Sequence, residues 1–249
     1  MKKANNGTTG KQDRTQNIDK SIADGHFYNA YACAEKGDLD KAIEKYTAGL
    51  KINPDFAIAI NNRGLVYYKK GDIDRAIADY TEAIRIEPDC AMAFFNRGNA
   101  YTRKQDYNSA IGDYTASLKL EPDDATALYN RGYVYTKMND RDHAIADYTA
   151  ALEIEPDHAD ALINRANAYA EQGKRAYALA DYTAALGIKP DDVECMINRA
   201  VTYAEMSEWN KAIADLEVVL RKEPNNANAL QLFRMIRQQQ GRSGGMGWG

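Results

Sequence analysis

Residues 125–158 read ATALYNRGYVYTKMNDRDHAIADYTAALEIEPDH, and the chain writes this 34-residue unit six times with variations. All six prolines (Pro54, Pro88, Pro122, Pro156, Pro190, Pro224) stand 34 residues apart. Tyr67, Tyr101, Tyr135, Tyr169 and Tyr203 keep that interval, and so do Ala42, Ala76, Ala110, Ala144, Ala178 and Ala212. Three ladders at one period mark a stacked repeat protein, in which each unit buries its apolar face against its neighbours.

Within the unit, apolar residues recur at i, i+3, i+4 and i+7, the spacing of two amphipathic helices. In the second copy this predicts helix A over 57–70 and helix B over about 74–87, with Gly71-Asp72 as the turn. Pro88 ends helix B by pushing its preceding residue out of helical geometry. Asp74 is placed to cap helix B, and Asp89 the next helix A, with Asp55, Asp123, Asp157, Asp191 and Asn225 in the same role. The pairs Asp72/Asp74 and Asp140/Asp142 lack the further oxygens and distal Glu of a calcium loop, so they read as caps.

Counting outward, the repeats run 23–56, 57–90, 91–124, 125–158, 159–192 and 193–226, which is 204 of 249 residues. Residues 227–240 add one amphipathic helix that closes the last apolar face, as a finite stack requires. Residues 1–22 are polar and read as a loose arm, and residues 241–249 as a flexible tail. Hydrophobic residues make up 45% of the chain, a core spread along the stack. The net charge of −4 offers no general attraction to nucleic acid or anionic membrane. No apolar run reaches membrane-spanning length. The basic start carries no apolar signal stretch, so a cytoplasmic location is the expectation. Cys33, Cys90 and Cys195 fall at unrelated repeat positions and read as free thiols, Cys33 being the one expected in the core.

A small residue in helix A (Gly64, Gly98, Gly132, Ala166, Ala200), a Tyr three later, an Ala nine beyond, an aromatic four further on and then Pro: this order resembles the tetratricopeptide repeat. The resemblance implies an all-α fold of antiparallel helix pairs in a right-handed superhelical solenoid, with the A helices lining a concave groove. It also implies a binding scaffold for protein segments. The family's carboxylate-clamp subtype is disfavoured, because its basic partners are replaced by Asn61, Phe95, Tyr129, Thr126 and Asp160.

Tyr46, Tyr80, Tyr114, Tyr148 and Tyr182 in helix B, with the helix A tyrosines, read as packing against the small residues. Arg63, Arg97, Arg131, Arg165 and Arg199 recur in helix A, and Asp79, Asp113, Asp147, Asp181 and Asp215 recur sixteen residues later. The first repeat has Asn29 and Lys45 at those places, so both partners are lost together. That joint loss predicts Arg–Asp pairs between packed helices, since an unpaired buried charge is costly.

The candidate site is a second polar ladder: Asn62, Asn96, Asn130, Asn164 and Asn198. Each lies about 100° round the helix from its arginine, on the face that the resemblance makes concave. An asparagine side chain offers an acceptor and two donors, which suits the backbone of an extended peptide; a similar ladder lines the groove of the O-linked N-acetylglucosamine transferases. The alternative is that these amides bond only to the neighbouring helix. Phe95, Tyr129 and Tyr133 are expected as apolar anchors beside the ladder, with Asn99 among its flanking residues. At the far end of helix A the series Lys69, Arg103, Lys137, Glu171, Glu205 predicts a groove basic toward its N-terminal half and acidic toward its C-terminal half.

His26, His143 and His158 share no repeat position, and no phosphate loop or nucleophile motif appears, so neither catalysis, a metal nor a cofactor is expected. The leading reading is an adaptor that binds a peptide segment of a partner protein. The other is a homo-oligomer formed through the array ends, where Trp209, Phe233 and Met235 supply apolar surface.

Overall fold

A computed structural model describes the backbone of residues 9–244 and the side chains of residues 19–240. Every regular element among them is an α-helix. Residues 1–122 and 123–249 form two compact units. The first contains α1 (Thr9–Glu35), α2 (Leu39–Ile52), α3 (Ala57–Lys70), α4 (Ile73–Ile86), α5 (Ala91–Lys104) and α6 (Tyr107–Leu120). The second contains α7 (Ala125–Lys137), α8 (Arg141–Ile154), α9 (Ala159–Glu171), α10 (Arg175–Ile188), α11 (Val193–Glu205), α12 (Trp209–Lys222) and α13 (Ala227–Gly244). Helices A and B of the sequence repeat are therefore the odd- and even-numbered helices.

The turns repeat as strictly as the helices. Gly37, Gly71, Gln105, Asn139, Gly173 and Ser207 all have positive φ, and each stands 34 residues after the last. This left-handed step ends helix A and satisfies its last carbonyls, as when Gly71 and Asp72 donate to Tyr68 and Tyr67. The residues before the prolines leave helical geometry as expected; Glu87, for example, sits at φ −123°, ψ 87°.

The N-caps differ from the expected ones by one or two positions. Asp72, Asp106 and Asp140 cap the second helices by accepting from backbone N–H groups three residues on. Asp74 and Asp142 instead lie inside the first helical turn. Among the first helices, Asp124, His158, Asp192 and Asn226 are the capping acceptors, not Asp123, Asp157, Asp191 and Asn225. Phe56 and Cys90 occupy the cap positions of α3 and α5 and make no side-chain cap, so Asp55 and Asp89 do not cap either. The N–H groups to be capped sit three residues beyond the cap, so the residue directly before the helix is the one within reach.

Helix α1 begins at Thr9, so residues 9–22 of the expected arm are helical. Once Ala23, Phe27 and Ala30 are packed, extending a helix from that anchor is far easier than starting one. The first eight residues and the last five lie outside the described ones.

The core is a large-to-small alternation. Tyr46, Tyr80, Tyr114, Tyr148 and Tyr182 are essentially inaccessible, each on a second helix. A Cβ added at Gly64 would lie 2.8 Å from the Tyr80 ring, and one at Gly132 would lie 2.9 Å from Tyr148. Tyr67, Tyr101, Tyr135, Tyr169 and Tyr203 are only half-buried. Cations lie over several of them, such as Arg75 over Tyr67 at 4.8 Å. The thiol in the core is Cys195 and not Cys33, which is half-buried; from the first turn of α11, Cys195 points at α10, its Sγ 3.8 Å from the Tyr182 carbonyl.

The expected ion pairs form in every repeat that carries both residues. Nε and Nη2 of Arg63 donate to both oxygens of Asp79, at 2.8 and 2.7 Å. Arg97–Asp113 in the first unit and Arg131–Asp147, Arg165–Asp181 and Arg199–Asp215 in the second repeat that fork. Several of the arginines also reach back to a threonine of the preceding second helix, as Arg165 does to Thr149 at 3.1 Å. Two parallel charge-assisted bonds fix the angle between paired helices as well as neutralising them.

Candidate peptide-binding face

Inside each unit, alternate first helices touch: α1 with α3 and α3 with α5, then α7 with α9, α9 with α11 and α11 with α13. Alternate second helices do not approach one another in this way. The first helices therefore line the inner side of each unit's curve, the side on which the asparagine ladder was expected.

In the first unit, the Asn96 amide donates to Asn61 Oδ1 at 3.0 Å, and Asn61 lies against Asn62 and Met92. Asn99 accepts from the buried Tyr114 hydroxyl at 2.7 Å. Phe95 is half-buried with its ring tilted against Tyr114, centroids 6.0 Å apart. Lys69 is exposed, and Arg103 lies over the Tyr68 ring while donating to the Tyr68 carbonyl. The ladder position of the first repeat, 34 residues before Asn62, is Tyr28, which is 75% exposed; Tyr31, one turn on, is 56% exposed. Sequence reasoning passed over both tyrosines, although their repeat register alone places them on this face. It also passed over Ile58 and Met92, two exposed apolar residues in the first turns of α3 and α5.

In the second unit the face holds a cavity of about 420 Å³ whose lining includes Asn164, Asn167, Ala170 and Glu171 of α9. Asn198, Val201, Thr202 and Glu205 of α11 face it, with Thr136 of α7 and Tyr182 of α10 completing the wall. Asn164 donates to the Tyr129 hydroxyl at 3.2 Å, and Asn198 donates to Asn167 Oδ1 at 3.3 Å. Asn130 is half-buried on α7. In this unit one amide hydrogen of Asn164 and of Asn198 ties adjacent first helices together, as the alternative expected, and both side chains also line the cavity.

Tyr129 is partly committed to packing, stacked on the His158 ring at 4.7 Å and tilted against Tyr148 at 5.8 Å. That burial raises its hydroxyl pKa above the ordinary range. Tyr133 is exposed, with Lys137 over its ring at 4.9 Å. Phe95 belongs to the first unit, and Tyr129 and Tyr133 to the second. Glu171 and Glu205 accept from Arg141 and Arg175 of the preceding second helices at 2.6 and 2.8 Å. Trp209 and Phe233 pack against the core of the second unit, while Met235 is exposed. Among the described residues no group of three metal-ligating side chains forms, and no helix is long and apolar enough to cross a membrane.

The repeats match the tetratricopeptide repeat family over residues 30–139 in three overlapping spans, and again over 125–158, 147–180 and 194–226. Among solved structures, the chain is similar to YrrB, described as a tetratricopeptide protein with an unusual peptide-binding site. The two are 24% identical over 75% of this chain and 96% of YrrB, with a TM-score of 0.68. MamA is 26% identical over 66% of this chain and 96% of its own, with a TM-score of 0.63. A tetratricopeptide protein of Parabacteroides merdae is 23% identical over 92% and 94%, with a TM-score of 0.69. No curated protein matches.

Proposed function

The chain belongs to the tetratricopeptide repeat family, and we propose that it is a non-catalytic adaptor that holds an extended segment of a partner protein along its first helices. Family members serve generally as interaction scaffolds, and YrrB carries a peptide-binding site on a similar fold. The observation that carries the reading is the asparagine at one register in five consecutive first helices, two of them lining the cavity of the second unit. Backbone recognition of this kind is tolerant of sequence, each hydrogen bond netting about 0.5–1.5 kcal/mol. Selectivity then rests with Phe95, Asn99, Tyr129 and Tyr133, and with the charges of Lys69, Arg103 and Lys137. The three unbridged thiols suit a reducing compartment, and we take the cytoplasm as its place of work.

The test is capture from native lysate, comparing wild type with the Asn96→Ala, Asn130→Ala, Asn164→Ala variant after circular dichroism shows that the variant folds. Proteins retained by wild type and lost by the variant support the ladder; equal recovery retires it.

A second reading, self-association through the array ends, is favoured by the exposure of Ile22, Tyr28 and Tyr31 on α1 and of Met235 on α13. Light scattering decides it. A mass that doubles with concentration supports self-association, and a constant monomer mass removes it.

A further inference from the structure

We infer that the cavity between α9 and α11 is a socket for a lysine or arginine side chain of the bound segment, an assignment that rests on the adaptor reading above. Its hydroxyls are already committed inside the protein. Thr136 and Thr202 donate to the Gly132 and Asn198 carbonyls, and Tyr182 donates to Asn167.

Its oxygens are not all committed. Arg141 and Arg175 each bond only Oε2 of their glutamates, which leaves Oε1 of Glu171 and of Glu205 without a hydrogen bond among the described residues. Asn164 and Asn198 spend only an amide hydrogen, so their Oδ1 atoms are also available.

Among the described residues no lysine or arginine lines the cavity. Against the remaining amide hydrogens of Asn164, Asn167 and Asn198, two carboxylates and two amide oxygens with two lone pairs on each oxygen still leave the space richer in acceptors than in donors. Ammonium and guanidinium, with three and five donors and no acceptor, are the side-chain groups that match it. Val201 and Ala170 supply the apolar wall along which an aliphatic stem can lie. The two glutamate–arginine pairs are solvent-exposed and so hold their carboxylates weakly against a competing cation.

The test is selection of a randomised heptapeptide library displayed on phage against the full chain. Wild type is expected to enrich Lys or Arg at one position on the order of fivefold, the preference that exposed carboxylates can supply. Glu171→Gln/Glu205→Gln should still enrich peptides but lose the basic position. Glu153→Gln/Glu217→Gln, equal in net charge and outside the cavity, should keep it. Arg141→Ala/Arg175→Ala should sharpen the preference by freeing both carboxylates. Enriched peptides that lack a basic position, or that keep it in Glu171→Gln/Glu205→Gln, overturn the socket and leave the adaptor reading standing. No enrichment over background by wild type overturns both.

Discussion

In the first unit the first helices open on exposed Ile58 and Met92 and end on Lys69 and Arg103. In the second unit the same repeat positions are Thr126, Asp160 and Glu194, then Lys137, Glu171 and Glu205. The ion pairs from the end of a first helix to the start of the preceding second helix reverse their sign as well. Lys70 and Lys104 reach back to Asp40 and Asp74 in the first unit, whereas Glu171 and Glu205 accept from Arg141 and Arg175 in the second. Beneath this, Arg–Asp forks, buried tyrosines and left-handed turns recur in both units. The contrast separates two kinds of constraint. Positions that join helix to helix recur through most of the repeats because successive interfaces are nearly equivalent, and the inner face is free to differ from rung to rung.

The largest expected effect probes the shared framework. Asp113→Ala and Asp147→Ala each break a largely buried ion pair, which costs about 3 kcal/mol. Urea unfolding should show similar losses for the two, and a loss confined to one unit would break the claim of a common framework. Next comes the differing face. Lys69→Glu/Arg103→Glu should leave stability within about 0.5 kcal/mol and abolish any enrichment of acidic residues by the heptapeptide library. Wild type's preference for acidic residues should itself weaken as salt is raised. Unchanged selection would remove the charge difference from the recognition mechanism.

Smaller effects lie in the turns. Gln105→Gly in the first unit and Ser207→Gly in the second relieve a positive φ and should stabilise by about 0.5–1 kcal/mol each, read as a raised Tm. Gly71→Ala should do the reverse.

The smallest perturbation needs no mutation. Burial pushes the Cys195 thiol up from 9.0 to about 12, so it should label far more slowly with a thiol reagent than Cys33 or Cys90. Burial also raises the hydroxyls of Tyr80 and Tyr114 in the first unit and of Tyr148 and Tyr182 in the second. The folded state thus favours the neutral forms. Their contribution is fully present below the unfolded pKa values, 9.0 for Cys195 and 10.0 for the tyrosines, and is lost as pH rises beyond them. Alkaline titration followed by circular dichroism should show stability declining from about pH 9 upward.

The sequence by itself determined the repeat, the helix pairs and the Arg–Asp forks, because a stack must place equivalent residues in equivalent surroundings, and a period read along the chain is then a statement about space. The joint loss of both partners in the first repeat, Asn29 for the arginine and Lys45 for the aspartate, was enough to pair the two ladders. Tertiary structure alone decided how the inner-face residues divide their bonds. Whether Asn164 spends a hydrogen on Tyr129, or Glu171 keeps one oxygen clear of Arg141, depends on distances between helices of different repeats. It also decided that Cys195 and not Cys33 lies in the core, and that His158 caps α9 while stacking on Tyr129. Periodicity specifies which face a residue occupies; contact across that face is set by side-chain reach and by the angle at which neighbouring helices cross, neither of which is written in a 34-residue interval.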